Sequence, residues 1–175
     1  MTDNEVKLRL AELKDLDELE ALYDYARRQM RRNGNMTQWK DGYPGRERIA
    51  EDIRRQNCCV FTDEQGICGV FALILGDDPT YALIEEGQWL NDEPYGTIHR
   101  IAGCGRVKGL LGRAVRFALE RASNVRCDTH EDNAIMRHLL EKHGFVRCGR
   151  IYAEDGSPRI AYQLIKKSDR PDRTA

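Results

Sequence analysis

The sequence predicts a mixed α/β domain in which helices pack on a central sheet. Three observations predict it. Strand-like alternation and helix-like spacing succeed one another in the order β, α, α, β, β, long loop, β, α, β, α, β, β. The 175 residues suffice for one domain with a proper core rather than two small ones. No internal repeat and no apolar run near the roughly 18 residues of a membrane span interrupts that order.

Residues 7–11 (KLRLA) alternate and open the sheet. Asp15 followed by Glu18 is an N-cap signature, and Leu16, Leu19, Tyr23, Ala26 and Met30 continue at helical spacing. That helix is expected to end near Asn33-Gly34-Asn35. The next segment, MTQWKDGYPG, is turn-rich yet carries Trp39 and Tyr43, and a short helix follows over 46–55. Cys58 to Thr62 and Ile67 to Leu75 read as a hairpin around Asp63-Glu64-Gln65-Gly66. Residues 76–95 form a long connection with two prolines and no period, the kind of segment that is functional or mobile inside a compact domain.

Tyr95 to Ala102 is a strand that feeds a glycine-rich turn. Beyond it Val107, Leu110, Leu111, Ala114, Ala118 and Ala122 make the apolar stripe of a helix facing a sheet. Val125 to Asp128 is a short strand. Thr129 or Asp132 can cap the next helix, with Ile135, Met136, Leu139 and Leu140 inward and Gly144 just past its end. Phe145 to Tyr152 and Arg159 to Ile165 close the order as a hairpin across EDGSP. The domain is thus expected to span 1–166, with a disordered tail at 167–175.

Composition excludes several functions. Lys plus Arg number 28 and Asp plus Glu 29, a net charge of −1 and no footprint of a nucleic-acid binder. Six cysteines without a CxxC pair read as reduced, buried thiols. Four histidines in no HExxH or finger-like spacing argue against a metal site. The three serines occupy no G-x-S-x-G elbow, which excludes that class of serine hydrolase. The N-terminus MTDNEVKLRL lacks the pattern of a signal peptide, so the chain is expected in the cytoplasm, with no membrane partner.

Positive charge is nevertheless gathered in one place. From Pro94 to Leu119 there is no acidic residue, while Arg100, Arg106, Lys108, Arg113 and Arg116 are cationic. At its centre lies HRIAGCGRVKGLLGRAV, His99 to Val115. The turn fits neither G-x-x-x-x-G-K-[ST] nor G-x-G-x-x-G, because Lys108 stands where each requires a glycine. The physics of the corner still favours an anion. The first turn of a helix exposes unpaired N–H groups and the positive end of a dipole, and Gly105 and Gly109 carry no side chain to block a phosphate.

The strand TIHRIA, the turn GRVKGLLGRA and the later CDTHEDNAIMRHLLEKHGF together resemble the acetyl-CoA core of the GNAT N-acetyltransferase superfamily. The later motif matches at Asn133, Met136, Leu139, Lys142, Gly144 and Phe145, and the resemblance covers about residues 6–166. Leu111 stands where the family prefers Gly or Ala, and Leu140 where it carries a tyrosine. The resemblance implies a mixed, mostly antiparallel sheet flanked by helices. It implies an acyltransferase that moves acetyl from acetyl-CoA, a cosubstrate, directly to a primary amine of a small molecule or peptide. A non-catalytic acyl-CoA sensor on the same fold is the alternative, and a homodimer is left open.

By the same resemblance Ile101 and Ala102 supply main-chain contacts to the thioester. Gly105, Arg106, Val107, Lys108, Gly109 and Leu110 hold the pyrophosphate, and Asn133 the pantetheine arm. His99 and His130 are the candidate bases, since imidazole titrates near neutrality. Asn35, Gln38, Trp39 and Tyr43, with Trp89 and Tyr95, are expected to line the acceptor pocket.

Overall fold

The alternations and stripes of the sequence become eleven regular elements in the computed structural model, which describes residues 5–167. They are β1 (Lys7–Leu10), α1 (Leu16–Arg32), α2 (Arg46–Arg54), β2 (Cys58–Asp63), β3 (Gly66–Leu75), β4 (Gly96–Gly103), α3 (Leu110–Leu119), β5 (Asn124–Thr129), α4 (Ala134–Lys142), β6 (Val146–Tyr152) and β7 (Pro158–Ile165). Short 3₁₀ turns stand at Leu13–Asp15 and Pro79–Tyr81. The tail expected at 167–175 lies, from Ser168 on, outside the described residues.

The strands form one seven-stranded sheet in the order β1-β2-β3-β4-β5-β7-β6. Every neighbouring pair is antiparallel except β4 and β5, which run parallel and meet only at Gly96–Val125 and Thr97–Arg126. Beyond Thr97 the two strands part. One face of the sheet buries the apolar stripe of α3 (Leu110, Leu111, Ala114, Val115, Ala118) against Phe61, Phe71, Ile98 and Val125, with Leu140 of α4 and Tyr162 completing the layer. The other face is shared. Leu19, Leu22, Tyr23 and Ala26 of α1 and Ile49 and Ile53 of α2 cover its first half. Tyr81 and Tyr95 of the long connection cover β6 and β7 at Ile151 and Ala161.

Several local expectations change. Asp15 holds the N-cap position of α1 but makes no side-chain capping bond; its carboxylate pairs with Arg9 at 2.7 and 3.0 Å and accepts the Glu12 N–H at 2.8 Å, tying β1 to the helix that follows. Glu18 instead reaches the Ile67 N–H, 2.9 Å away. Val107 precedes α3 rather than joining it. The cap of α4 is Asn133, whose Oδ1 accepts the Met136 N–H at 3.1 Å, and not Thr129 or Asp132. Ile135 is 53 % exposed because it stands on the outer side of that helix. The connection 76–95 is pinned throughout. Glu85 and Arg150 exchange both backbone bonds, Gln88 N–H reaches Cys148 O, and Leu90 N–H reaches the wholly buried Gln163.

Candidate functional site

The parting of β4 from β5 opens a V in the middle of the sheet, and β4 bends beside it. The β3–β4 register shifts between Val70 and Ala72, and Arg100 sits opposite the shift with φ +52°, a left-handed conformation costly for a side-chain-bearing residue. Three bonds hold it there. The buried guanidinium forks onto Asp52 of α2 at 2.9 and 2.8 Å, and the Arg100 carbonyl accepts the Tyr23 hydroxyl at 2.8 Å. Strain over-determined in this way re-aims the strand, and Ile101 and Ala102 follow directly after the bend. Their main-chain groups lie where β4 has no partner on the β5 side.

His99 precedes the bend and faces the long connection. Its Nε2 lies 2.6 Å from Asp78 Oδ2. A carboxylate only accepts, so Nε2 carries the proton and the neutral ring keeps its lone pair at Nδ1. Burial pushes the Asp78 carboxyl up, but bonds from His99 and Thr80 outweigh it and leave the group at about 2, against an ordinary 3.8. Tyr81 lies beyond His99, its ring tilted by 42° at 6.0 Å between ring centres, and donates its hydroxyl to Asp128 Oδ1 at 2.6 Å. Burial and the Asp128 charge hold that phenol far above its usual pKa, so it is no proton donor near neutrality.

A stability effect follows from Asp78. Its folded pKa lies below its unfolded one, so its contribution, about 2 kcal/mol, is whole above pH 3.8 and is lost as the pH falls toward 2. Chemical denaturation is expected to show the gap between wild type and Asp78→Asn constant above about pH 5 and shrinking between about pH 4 and about pH 2. A gap constant throughout contradicts the pairing.

The glycine-rich corner lies at the end of β4. None of the successive N–H groups from Gly105 to Gly112 finds a backbone acceptor among the described residues; the helical pattern resumes with Arg113 N–H on Gly109 O. Such a run of orphan donors, capped by the dipole of α3, fits a diphosphate. Gly105 (φ +87°) and Gly109 (φ +75°) turn the chain so that it can form. Leu111, in the position the family gives to a small residue, does not obstruct it, because its side chain is buried in the core. One expectation is corrected: the Arg106 side chain is turned away and forks onto Asp63 at 3.2 and 3.0 Å, so Arg106 offers the corner its amide rather than its charge. Val107 is half-buried, and Lys108 is exposed and makes no ion pair among the described residues.

His130 and Asn133 stand at the far side of the V, between β5 and α4. His130 Nδ1 accepts the Asp132 N–H at 3.1 Å, which engages the only lone pair of the neutral ring. The role of base expected for it is therefore withdrawn; it shapes the turn into α4. Asn133 caps that helix with its Oδ1 and gives its Nδ2 to Gln38 Oε1 at 3.0 Å. Gln38 also accepts from Asn35 at 2.9 Å and lies 3.3 Å from Thr129 Oγ1 and from His130 N. Gln38, expected beside Trp39 and Tyr43 in the acceptor pocket, thus spends its side-chain oxygen on fastening the α1–α2 connection to the end of β5.

That connection supplies one wall. Trp39 packs edge-on against Tyr23 (5.7 Å) and Tyr43 (6.1 Å), beside the Arg100–Asp52 pair. The β6–β7 turn folds over it through Arg48–Glu154 (2.8 Å), Lys40–Asp155 (3.0 Å) and Arg159 to Gln38 O (2.9 Å). Trp89 and Tyr95 do not belong to this wall. Tyr95 is 7 % exposed, the Trp89 indole N–H is spent on Tyr81 O, and both rings clasp Arg126 under the long connection. They are packing residues because that connection has to bury its own underside. Asp78, which sequence reasoning passed over, had a signal: Asp before Pro79 and Thr80 is a helix-start pattern, and its Oδ1 accepts the Thr80 N–H at 2.9 Å.

The cysteines stay apart from this chemistry. All six are free, and burial pushes the Cys58 thiol up to about 12 and Cys59 to about 11. Among the described residues no three metal-ligating side chains converge, and no helix is long and apolar enough to cross a membrane.

No protein-family model and no curated protein matches the chain. Solved structures do. An acetyltransferase of the GNAT family from Streptococcus agalactiae 2603 is 35% identical, with 93% of this chain and 96% of that one covered at a TM-score of 0.83. A GNAT-family acetyltransferase from Listeria monocytogenes 4b F2365 shares the fold at 22% identity, 94% and 96% coverage and a TM-score of 0.69. A ribosomal-protein-alanine N-acetyltransferase from Brucella melitensis does so at 18% identity, 91% and 99% coverage and a TM-score of 0.62.

Proposed function

Since the chain belongs to the GNAT family of acetyltransferases, we propose that it transfers an acetyl group from acetyl-CoA to a primary amine, with both substrates bound together. The observation that carries the reading is the His99–Asp78 pair set beside the V that opens on the corner of orphan amides. The amides from Gly105 to Leu110 hold the diphosphate, the start of α4 at Asn133 flanks the pantetheine arm, and the main chain at Ile101 and Ala102 polarises the thioester carbonyl. Bound acetyl-CoA supplies an activated acyl group.

The remaining work falls to the chain's own residues. An alkylammonium must lose a proton before it can attack. His99 Nδ1 takes it, and Asp78 fixes the ring and steadies the imidazolium that forms. As the C–N bond forms and the thioester C–S bond breaks, the His99 imidazolium returns its proton to the departing thiolate and the second amine proton passes to solvent; Leu140, wholly buried and aliphatic, supplies none. The amine, on a small molecule or a peptide, enters between the α1–α2 connection and the β6–β7 turn, against Trp39 and Tyr43.

Titration calorimetry with acetyl-CoA, followed by a thiol-release assay across a panel of amines, tests this. Saturable binding with release of CoA thiol on at least one amine is the expected result. Binding without turnover on any amine transfers the case to the acyl-CoA sensor, which the aliphatic Leu140 favours; absence of binding removes both.

A further inference from the structure

A second cavity lies at the opposite end of β4 from the glycine corner, where β4 and β5 are still paired. It measures about 300 Å³ and is bounded by Asp77, Asp92, Glu93, Tyr95 and Arg126. Its floor and its rim carry opposite charges, and neither is neutralised by an ion pair. Arg126 is 5 % exposed and is held between Trp89 and Tyr95, its guanidinium carbon 4.0 and 3.9 Å from the two ring centres. One N–H reaches Asn91 O at 2.9 Å, but Nε finds no acceptor. Thr97, its partner across the β4–β5 register, is wholly buried and its Oγ1 is also unpaired. At the rim, Asp77, Asp92 and Glu93 are exposed and none of them pairs with a cation among the described residues.

Buried polar groups are normally satisfied, and a cationic side chain in the wall of an open cavity with an unpaired donor and no counter-charge calls for an occupant. A simple anion would meet three carboxylates on its way to Arg126. A simple cation would come to rest against a guanidinium. A metal ion has no ligand set here, since no three metal-ligating side chains converge among the described residues. A ligand with an ammonium beside a carboxylate answers both charges at once, and the volume suits a molecule of that size. We propose that this cavity is a second binding site, for a zwitterionic α-amino acid whose carboxylate meets Arg126 and whose ammonium lies among Asp77, Asp92 and Glu93. The site is separate from the acetyl-transfer cleft yet one bond from it, because Tyr95 Oη accepts the Asp78 N–H at 2.8 Å.

The chain has two tryptophans, one for each site, and they make the test. In the ¹⁵N-labelled full chain, L-leucine, L-alanine and L-lysine are titrated while both indole N–H resonances are followed. The Trp89 resonance is expected to shift saturably while that of Trp39 stays in place. L-leucine methyl ester, which lacks the carboxylate, and N-acetyl-L-leucine, which lacks the ammonium, are expected to bind roughly tenfold more weakly. The double variant Asp92→Asn/Glu93→Gln, at exposed positions that leave the fold intact, is expected to weaken L-leucine roughly tenfold as well. No shift at Trp89, a shift at Trp39 alone, a methyl ester that binds as well as the amino acid, or an unaffected double variant would each overturn the proposal.

Discussion

Replacing His99 with alanine is expected to lower kcat by about 10²–10⁴-fold while acetyl-CoA binds as before. The split follows from where the ring sits. His99 is on β4 before the bend, with its Nε2 committed to Asp78 and its lone pair free. The orphan amides that fit the diphosphate begin at Gly105 and depend on the turn rather than on the imidazole. Removing the ring therefore takes away the proton acceptor and leaves the anchor. Asp78→Asn separates positioning from chemistry: the carboxamide can still meet Nε2 but no longer favours the imidazolium. Its kcat is expected to fall less than that of His99→Ala, with acetyl-CoA affinity unchanged. Steady-state kinetics and calorimetry on the two variants check this. A His99→Ala enzyme with unchanged kcat removes the histidine from the reaction, and one that has lost acetyl-CoA binding makes it part of the anchor.

The parts of this architecture carried by periodicity were open to reading. The stripe Leu110, Leu111, Ala114, Ala118 announced α3, because a helix that buries one face must repeat its apolar residues at its own period, and the apolar run 67–75 beyond the turn Asp63-Glu64-Gln65-Gly66 announced β3, a strand buried on both faces. The glycine corner was legible as a turn, since glycines between a strand and a helix supply the positive φ that Gly105 and Gly109 adopt. The dyad was half legible. His99 stood on a strand, but its partner Asp78 is 21 residues earlier, in a connection with no period, and only the fold brings the two to 2.6 Å. The same reason hid Asp52, which lies 48 residues from Arg100, and the pairing of Gln38 with Asn133, 95 residues away. Trp89 and Tyr95 misled for a related cause. Aromatics in an irregular segment look available to a ligand, yet here the segment is itself a layer of the domain, and its rings are that layer's core. Arg106 misled because charge in a sequence has no direction; Asp63, at the end of β2, takes its guanidinium.

Gly105→Val is expected to weaken acetyl-CoA by about 10²-fold or more, with the protein still folded. Two effects act together at this position. At φ +87° a side chain costs roughly 1–2 kcal/mol of backbone strain, relieved by rotating the peptide whose N–H belongs to the run of orphan donors. A Cβ there would also stand 2.7 Å from the Tyr25 hydroxyl, inside contact distance, so either the corner or the tyrosine has to move. The peptide rotation, and any shift of the corner away from Tyr25, spoil the same set of converging N–H groups, and a diphosphate bound by several of them loses more than one bond. Strain alone is controlled at Gly34, which has a nearly identical φ of +86° but open space around it and lies past the end of α1, away from the corner. Gly34→Val is expected to reduce stability by a similar amount and leave acetyl-CoA affinity within about twofold of wild type. Calorimetry on the two variants, alongside thermal melts, separates a loss of fold from a loss of anchor. Equal affinity losses at both positions would place the diphosphate somewhere other than the start of α3.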